Sequence, residues 1–164
     1  MKIRNGFVSN SSSSSFIVAF DKLPESVDEL KTMLFGDIEE YNNLYHYGDD
    51  PYFWESETVA QTVWNDLSEA VPLCDQEVID EFRHGYIRGV DYPQPDYNAE
   101  VRDWDKYLYE WGQASLPLAQ KFLQETKGKI LIRFEYSDND GAYFAALEHG
   151  NLFDRVKHFR ISRH

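Results

Sequence analysis

A chain of 164 residues, 42% hydrophobic and 16% aromatic, carries enough apolar side chains for one packed domain and is short for two, which argues against a disordered chain. The single cysteine, Cys74, excludes an intrachain disulfide, and no apolar run reaches membrane-spanning length. The net charge of −13 is uneven: residues 21–105 hold 22 of the 29 acids and five of the 16 bases, a net of −17, while both ends are mildly basic, so free nucleic acid is not expected as a ligand of the middle.

In chain order, the first structured run is Phe16-Ile17-Val18-Ala19-Phe20, which is short, β-branched and aromatic. It reads as a strand buried on both faces. Ser9, Asn10 and Ser11–Ser15 precede it and read as a polar loop pinned against that strand. Ser26 and Glu29 form a capping-box pattern before Val27, Leu30, Met33 and Leu34 at helical spacing, and Gly36 ends that helix. Residues 37–56 crowd Tyr41, Tyr45, Tyr47, Tyr52, Phe53 and Trp54 among Asp37, Glu39, Glu40, Asp49, Asp50 and Glu55, and read as a long loop or short helical turns. Helices are predicted over 57–70, from Asp75 to Tyr86, and from Asn98 through Val101, Trp104, Leu108 and Trp111. A further helix restarts at Ser115-Leu116-Pro117, with serine as the cap and proline in the first turn.

The C-terminal part reads as β. Ile130, Ile132, Phe134 and Tyr136 alternate with Leu131, Arg133 and Glu135. Ser137-Asp138-Asn139-Asp140-Gly141 predicts a hairpin turn, Ala142–His149 its return strand, and His158–Ser162 a last short strand. The order strand, helices, strands predicts a single α+β domain whose antiparallel sheet joins the N-terminal strand to a C-terminal hairpin.

The stretch Arg4-Asn5-Gly6-Phe7-Val8-Ser9-Asn10-Ser11-Ser12-Ser13-Ser14-Ser15-Phe16 resembles a leader of small, mostly uncharacterised proteins of bacteriophages and their bacterial hosts. The resemblance covers about a tenth of the chain. It implies a phage or mobile-element origin and a bacterial cytoplasm, and it carries no catalytic residue with it. Phe7-Val8 is too short for a signal-peptide core, which agrees with a cytosolic expectation.

Two sites are candidates. Acids interleaved with aromatics suit a surface for a basic patch on another protein, and the residues expected to carry it are Glu39, Glu40, Tyr41, Tyr45, Tyr47, Tyr52 and Trp54. The alternative is a small enzyme or an anion-binding protein, its site joining Ser11, Ser12 and Ser13 to Glu148, His149, His158 and Arg160 across the sheet. The histidines at 149, 158 and 164 match no zinc spacing, and Asp138-Asn139-Asp140-Gly141 cannot be a calcium loop, since Tyr136 and Leu147 would fall at ligand positions. No metal or cofactor is therefore expected from the sequence.

Overall fold

The computed structural model describes residues 13–42 and 53–163. Of the expected site residues, Ser11, Ser12, Tyr45, Tyr47 and Tyr52 lie outside that range.

Strand β1 runs Ser13–Phe20 and is the middle of a three-stranded antiparallel sheet, between β4 (Ile130–Ser137) and β5 (His158–Ser162). Every residue from Ser14 to Phe20 is buried, as the unbroken apolar run requires of a strand covered on both faces. The two ends of the chain thus build one α+β sheet. Registers place Phe16 opposite Phe134 on one side and Arg160 on the other.

Two helical layers cover the sheet. Helices α1 (Val27–Phe35), α2 (Ser56–Glu69) and α6 (Ala142–His149) pack on the face that carries Phe16, Val18, Phe20, Ile132 and Phe134. Helices α3 (Asp75–His84) and α5 (Leu116–Glu125) pack on the face that carries Ile17, Ala19, Leu131 and Ile161. The period-2 alternation of β1 therefore feeds two separate cores.

The helix signals act locally much as expected. Ser26 Oγ accepts from Glu29 N–H at 3.1 Å, but the Glu29 carboxylate reaches back to Glu25 N–H at 2.7 Å and not to the cap itself. Pro117 sits in the first turn of α5, while Ser115 Oγ donates to Phe82 C=O at 2.7 Å and so docks that junction on α3.

Four expectations are corrected. Ser13, Ser14 and Ser15 belong to the strand and not to a loop before it. Ala142–His149 is a helix preceded by a 3₁₀ turn at Asp138–Asp140, so β4 and β5 are not a hairpin but flank β1. Alanine, leucine and glutamate favour that helix, and burial of Ala145, Ala146, Leu147 and Glu148 in succession hides any helical period. Helix α4 spans Trp104–Ala114, capped by Asp103, which accepts from Lys106 N–H at 2.9 Å; it does not start at Asn98. The stretch read as a long loop or short helical turns is also corrected: residues 40–42 and 53–55 pair as a small antiparallel ribbon, β2 (Glu40–Asn42) with β3 (Phe53–Glu55).

Candidate functional site

At the Ser13 end of β1 the strand carries hydroxyls into both helical layers. Ser14 and Ser15 are fully buried and point to opposite faces. On the first face, Ser14 Oγ donates to Glu148 Oε1 at 3.2 Å and accepts from Arg160 Nε and Nη2, each at 3.1 Å. Glu148 is fully buried near the end of α6, and its Oε2 accepts from Asp138 N–H at 2.8 Å. His149 Nε2 stands 3.6 Å from Glu148 Oε2 and 3.9 Å from Asp138 Oδ2. Arg160 is exposed as a residue, but its guanidinium leans inward over the Phe16 ring, 5.7 Å from the centroid. That partial burial lowers its pKa, opposed by the Glu148 carboxylate.

On the second face, Arg163 Nε donates to Ser15 Oγ at 2.9 Å and the same guanidinium pairs with Glu81. Arg133 Nη1 reaches the other Glu81 oxygen at 2.6 Å. Ser14 is thus backed by Arg160 and Glu148, and Ser15 by Arg163 and Glu81, with Arg133 also on Glu81.

The fold brings together Glu148, His149 and Arg160 of the expected alternative site. Ser13 stands at the strand edge, its hydroxyl 3.5 Å from Arg163 C=O. His158 is placed elsewhere: it packs against Phe16 and Phe153, and its Nδ1 lies 3.0 Å from Val156 C=O. Sequence reading missed Ser14 and the Ser15–Arg163–Glu81 cluster because Ser14 and Ser15 read as a loop and not as strand, and it missed Asp138 because the strand-like reading of 142–149 carried Glu148 away from it.

Of the expected partner surface, Tyr41 is a core residue and not a surface one. It is 3% exposed, and its hydroxyl donates to Ala146 C=O at 2.9 Å. Burial pushes its pKa well up. Trp54 is half-buried with its ring edge-on to Tyr143 at 4.9 Å. Glu39 and Glu40 are exposed, and Glu39 lies 3.4 Å from Lys31 Nζ.

An acidic, aromatic surface does exist, further along the chain. Tyr97, Trp104, Leu108 and Tyr109 are 67%, 49%, 62% and 67% exposed. Asp91, Asp96, Glu100, Asp103, Asp105 and Glu110, on the same stretch of chain, are all exposed too. Arg102 lies over the Tyr97 and Trp104 rings at 5.2 and 5.8 Å. Helix α4 is anchored through Trp111, which stacks on Tyr92 at 3.9 Å, and through Gly112, which packs beside the Arg83 side chain. A cleft of about 380 Å³ opens between α3 and α4, lined by Arg83, His84, Leu108, Tyr109 and Trp111. No protein-family model, curated protein or solved structure matches the chain.

Proposed function

We propose that this protein acts by binding another protein that presents a basic patch, through the acidic, aromatic face of α4 and the segment before it. The observation that carries this reading is the exposure of Tyr97, Trp104, Leu108 and Tyr109 on a stretch, 91–110, that also carries six exposed carboxylates. Large aromatic side chains left in water are the residues that anchor protein interfaces, and surrounding acids select a cationic partner. The face already takes a cation in cis, since Arg102 lies over two of its rings, and a lysine or arginine of the partner would use the same cation–π attraction. The adjoining cleft gives one partner side chain a place to be enclosed. On the strength of its leader sequence, we place the protein among phage-type accessory proteins working in a bacterial cytoplasm.

The test is affinity capture from a bacterial lysate with the wild-type chain and with a variant carrying Tyr97→Ala, Trp104→Ala and Tyr109→Ala. The protein retained only by the wild type is then measured by surface plasmon resonance at several salt concentrations. Expected are a basic partner, faster dissociation from Trp104→Ala, and an association rate that falls as salt rises. Identical retention by wild type and variant refutes the reading. So does a wild-type dimer that the triple variant converts to monomer in sedimentation velocity, since the face would then be closed by a second copy.

A small enzyme or anion-binding protein is the second reading, favoured by the convergence of Ser14, Glu148, His149 and Arg160. An anion there would meet Arg160 but would also face the carboxylates of Glu148 and Asp138.

A further inference from the structure

We infer that the cleft between α3 and α4 is a binding site for a flat aromatic molecule that carries a carboxylate. Its volume of about 380 Å³ is that of a small-molecule site. Leu108, Tyr109 and Trp111 supply an apolar wall from α4, and Arg83 and His84 line it from the end of α3. Residues 21–105 carry 22 acids against five bases, yet the described residues that line the cleft include no carboxylate. Glu110, between two wall residues on α4, pairs instead with Lys106 at 3.7 Å. An apolar wall beside a guanidinium, with no acid among its lining, selects a ligand that is apolar in its body and anionic at one end.

The Arg83 guanidinium is within a ligand's reach and lightly engaged. Its side chain is 37% exposed, and Asp80 stands 3.8 Å from Nη1, at the long limit of an ion pair. That Asp80 oxygen also accepts from Gln76 Nε2 at 3.0 Å, and Arg83 Nε has no hydrogen-bond partner. A ligand carboxylate would make the forked, charge-assisted contact that Asp80 does not. An anion near the C-terminal end of a helix ordinarily meets open carbonyls. Here three carbonyls of that end are taken: Phe82 C=O accepts from Ser115 Oγ at 2.7 Å, Gly85 C=O accepts from Tyr92 Oη at 3.2 Å, and His84 Nδ1 lies 2.8 Å from Asp80 C=O.

Gly112 adds an independent observation. Glycine inside a helix is unfavourable against alanine, and a Cβ at 112 would meet Arg83 no closer than 3.6 Å, an ordinary contact. The packing of α4 on α3 thus leaves room for a methyl group that the chain lacks, and that room belongs to the cleft. Trp111 is held by its stack on Tyr92 at 3.9 Å, so this part of the wall is formed before a ligand arrives. The site goes beyond the cation-seeking face of α4 and does not rest on it; the ligand and a partner side chain would compete for the cleft.

The probe is 2-naphthoate, titrated into the isotopically labelled full chain and followed by NMR, with the uncharged 2-naphthamide as its comparison. Saturable amide shifts are expected, centred on residues 83–84 and 108–113. Naphthoate should bind at least about tenfold tighter than the amide, as a hydrogen-bonded charge pair requires. Arg83→Gln, which keeps the Cβ and Cγ that pack beside Gly112, should abolish that preference and leave the amide's affinity within about twofold. If Arg83→Gln fails to fold, the wild-type comparison of acid with amide and the map of shifts decide alone. The inference is overturned by no saturation at about 5 mM naphthoate, by equal affinity for acid and amide, by a preference that folded Arg83→Gln retains, or by shifts centred elsewhere.

Discussion

Replacing Ser14 with alanine tests whether the serine run is a connector or part of the interior. The substitution removes one oxygen that donates to Glu148 at 3.2 Å and accepts from Arg160 twice at 3.1 Å, all at a residue with no exposed surface. A hydrogen bond to a charged group contributes about 1.5–3 kcal/mol, and deleting one partner leaves the other with its desolvation cost. Arg160 is exposed as a residue and can find water, so its share is discounted. Glu148 cannot, being fully buried. The expected loss is about 2 kcal/mol, which for a chain of this size lowers Tm by about 4–8 °C. Ser13→Ala, whose hydroxyl makes only a 3.5 Å contact, should stay within about 0.5 kcal/mol of wild type. Urea unfolding followed by circular dichroism gives both values. A double-mutant cycle of Ser14→Ala with Arg160→Ala should show a coupling of about 1 kcal/mol. If Ser14→Ala matches Ser13→Ala, the hydroxyl has no structural role and the reasoning fails.

Val18 is fully buried at the middle of the central strand, so Val18→Asp should abolish the cooperative unfolding transition seen by circular dichroism. A Cβ at Gly150 would stand 2.0 Å from Tyr41 Oη and 2.5 Å from Ala146 C=O, so Gly150→Ala should cost about 1–3 kcal/mol in urea unfolding. Burial raises the hydroxyl pKa of Tyr41 and of Tyr136, the latter also beside Asp66. An unfolded tyrosine ionises near pH 10, so above about pH 10 the unfolded chain loses protons that the folded one keeps, and stability falls as pH rises. Tyr41→Phe should make that fall shallower and leave the pH dependence below about pH 9 unchanged, as measured by unfolding free energy against pH.

Phe16–Phe20 and Ile130–Tyr136 were legible because strand burial leaves a direct mark: an unbroken apolar run for the strand covered on both sides, and alternation for its neighbour. Ala142–His149 was not, because a helix enclosed on several sides loses the polar stripe that reveals its period. That single misreading separated Asp138 from Glu148 and hid the polar cluster between them. Tyr41 shows the converse limit. An aromatic residue among acids has the composition of a surface, yet the ribbon it sits on turns it inward against α6, where Gly150 leaves room for its hydroxyl. The exposed aromatics of α4 share the same composition, and only packing distinguishes the two.

Ser14 and Ser15 follow from a change in what the helical layers present to β1. Toward Phe20, β1 is covered on both faces by apolar side chains, and only apolar residues fit there. Toward Ser13 the strand meets Glu148 and Arg160 on one face and Glu81 and Arg163 on the other. A valine or phenylalanine at Ser14 would cover the Glu148 carboxylate without offering it a donor, and an ionised residue would add a further charge to be compensated. A serine hydroxyl is small enough for a fully enclosed strand position and both donates and accepts, so at Ser14 it links a carboxylate to a guanidinium through one oxygen. At Ser15 the same hydroxyl accepts from Arg163 while that arginine pairs with Glu81. In Ser13–Ser15 the run therefore marks where the strand changes partners, from hydrophobic layers to a charged pair on each side.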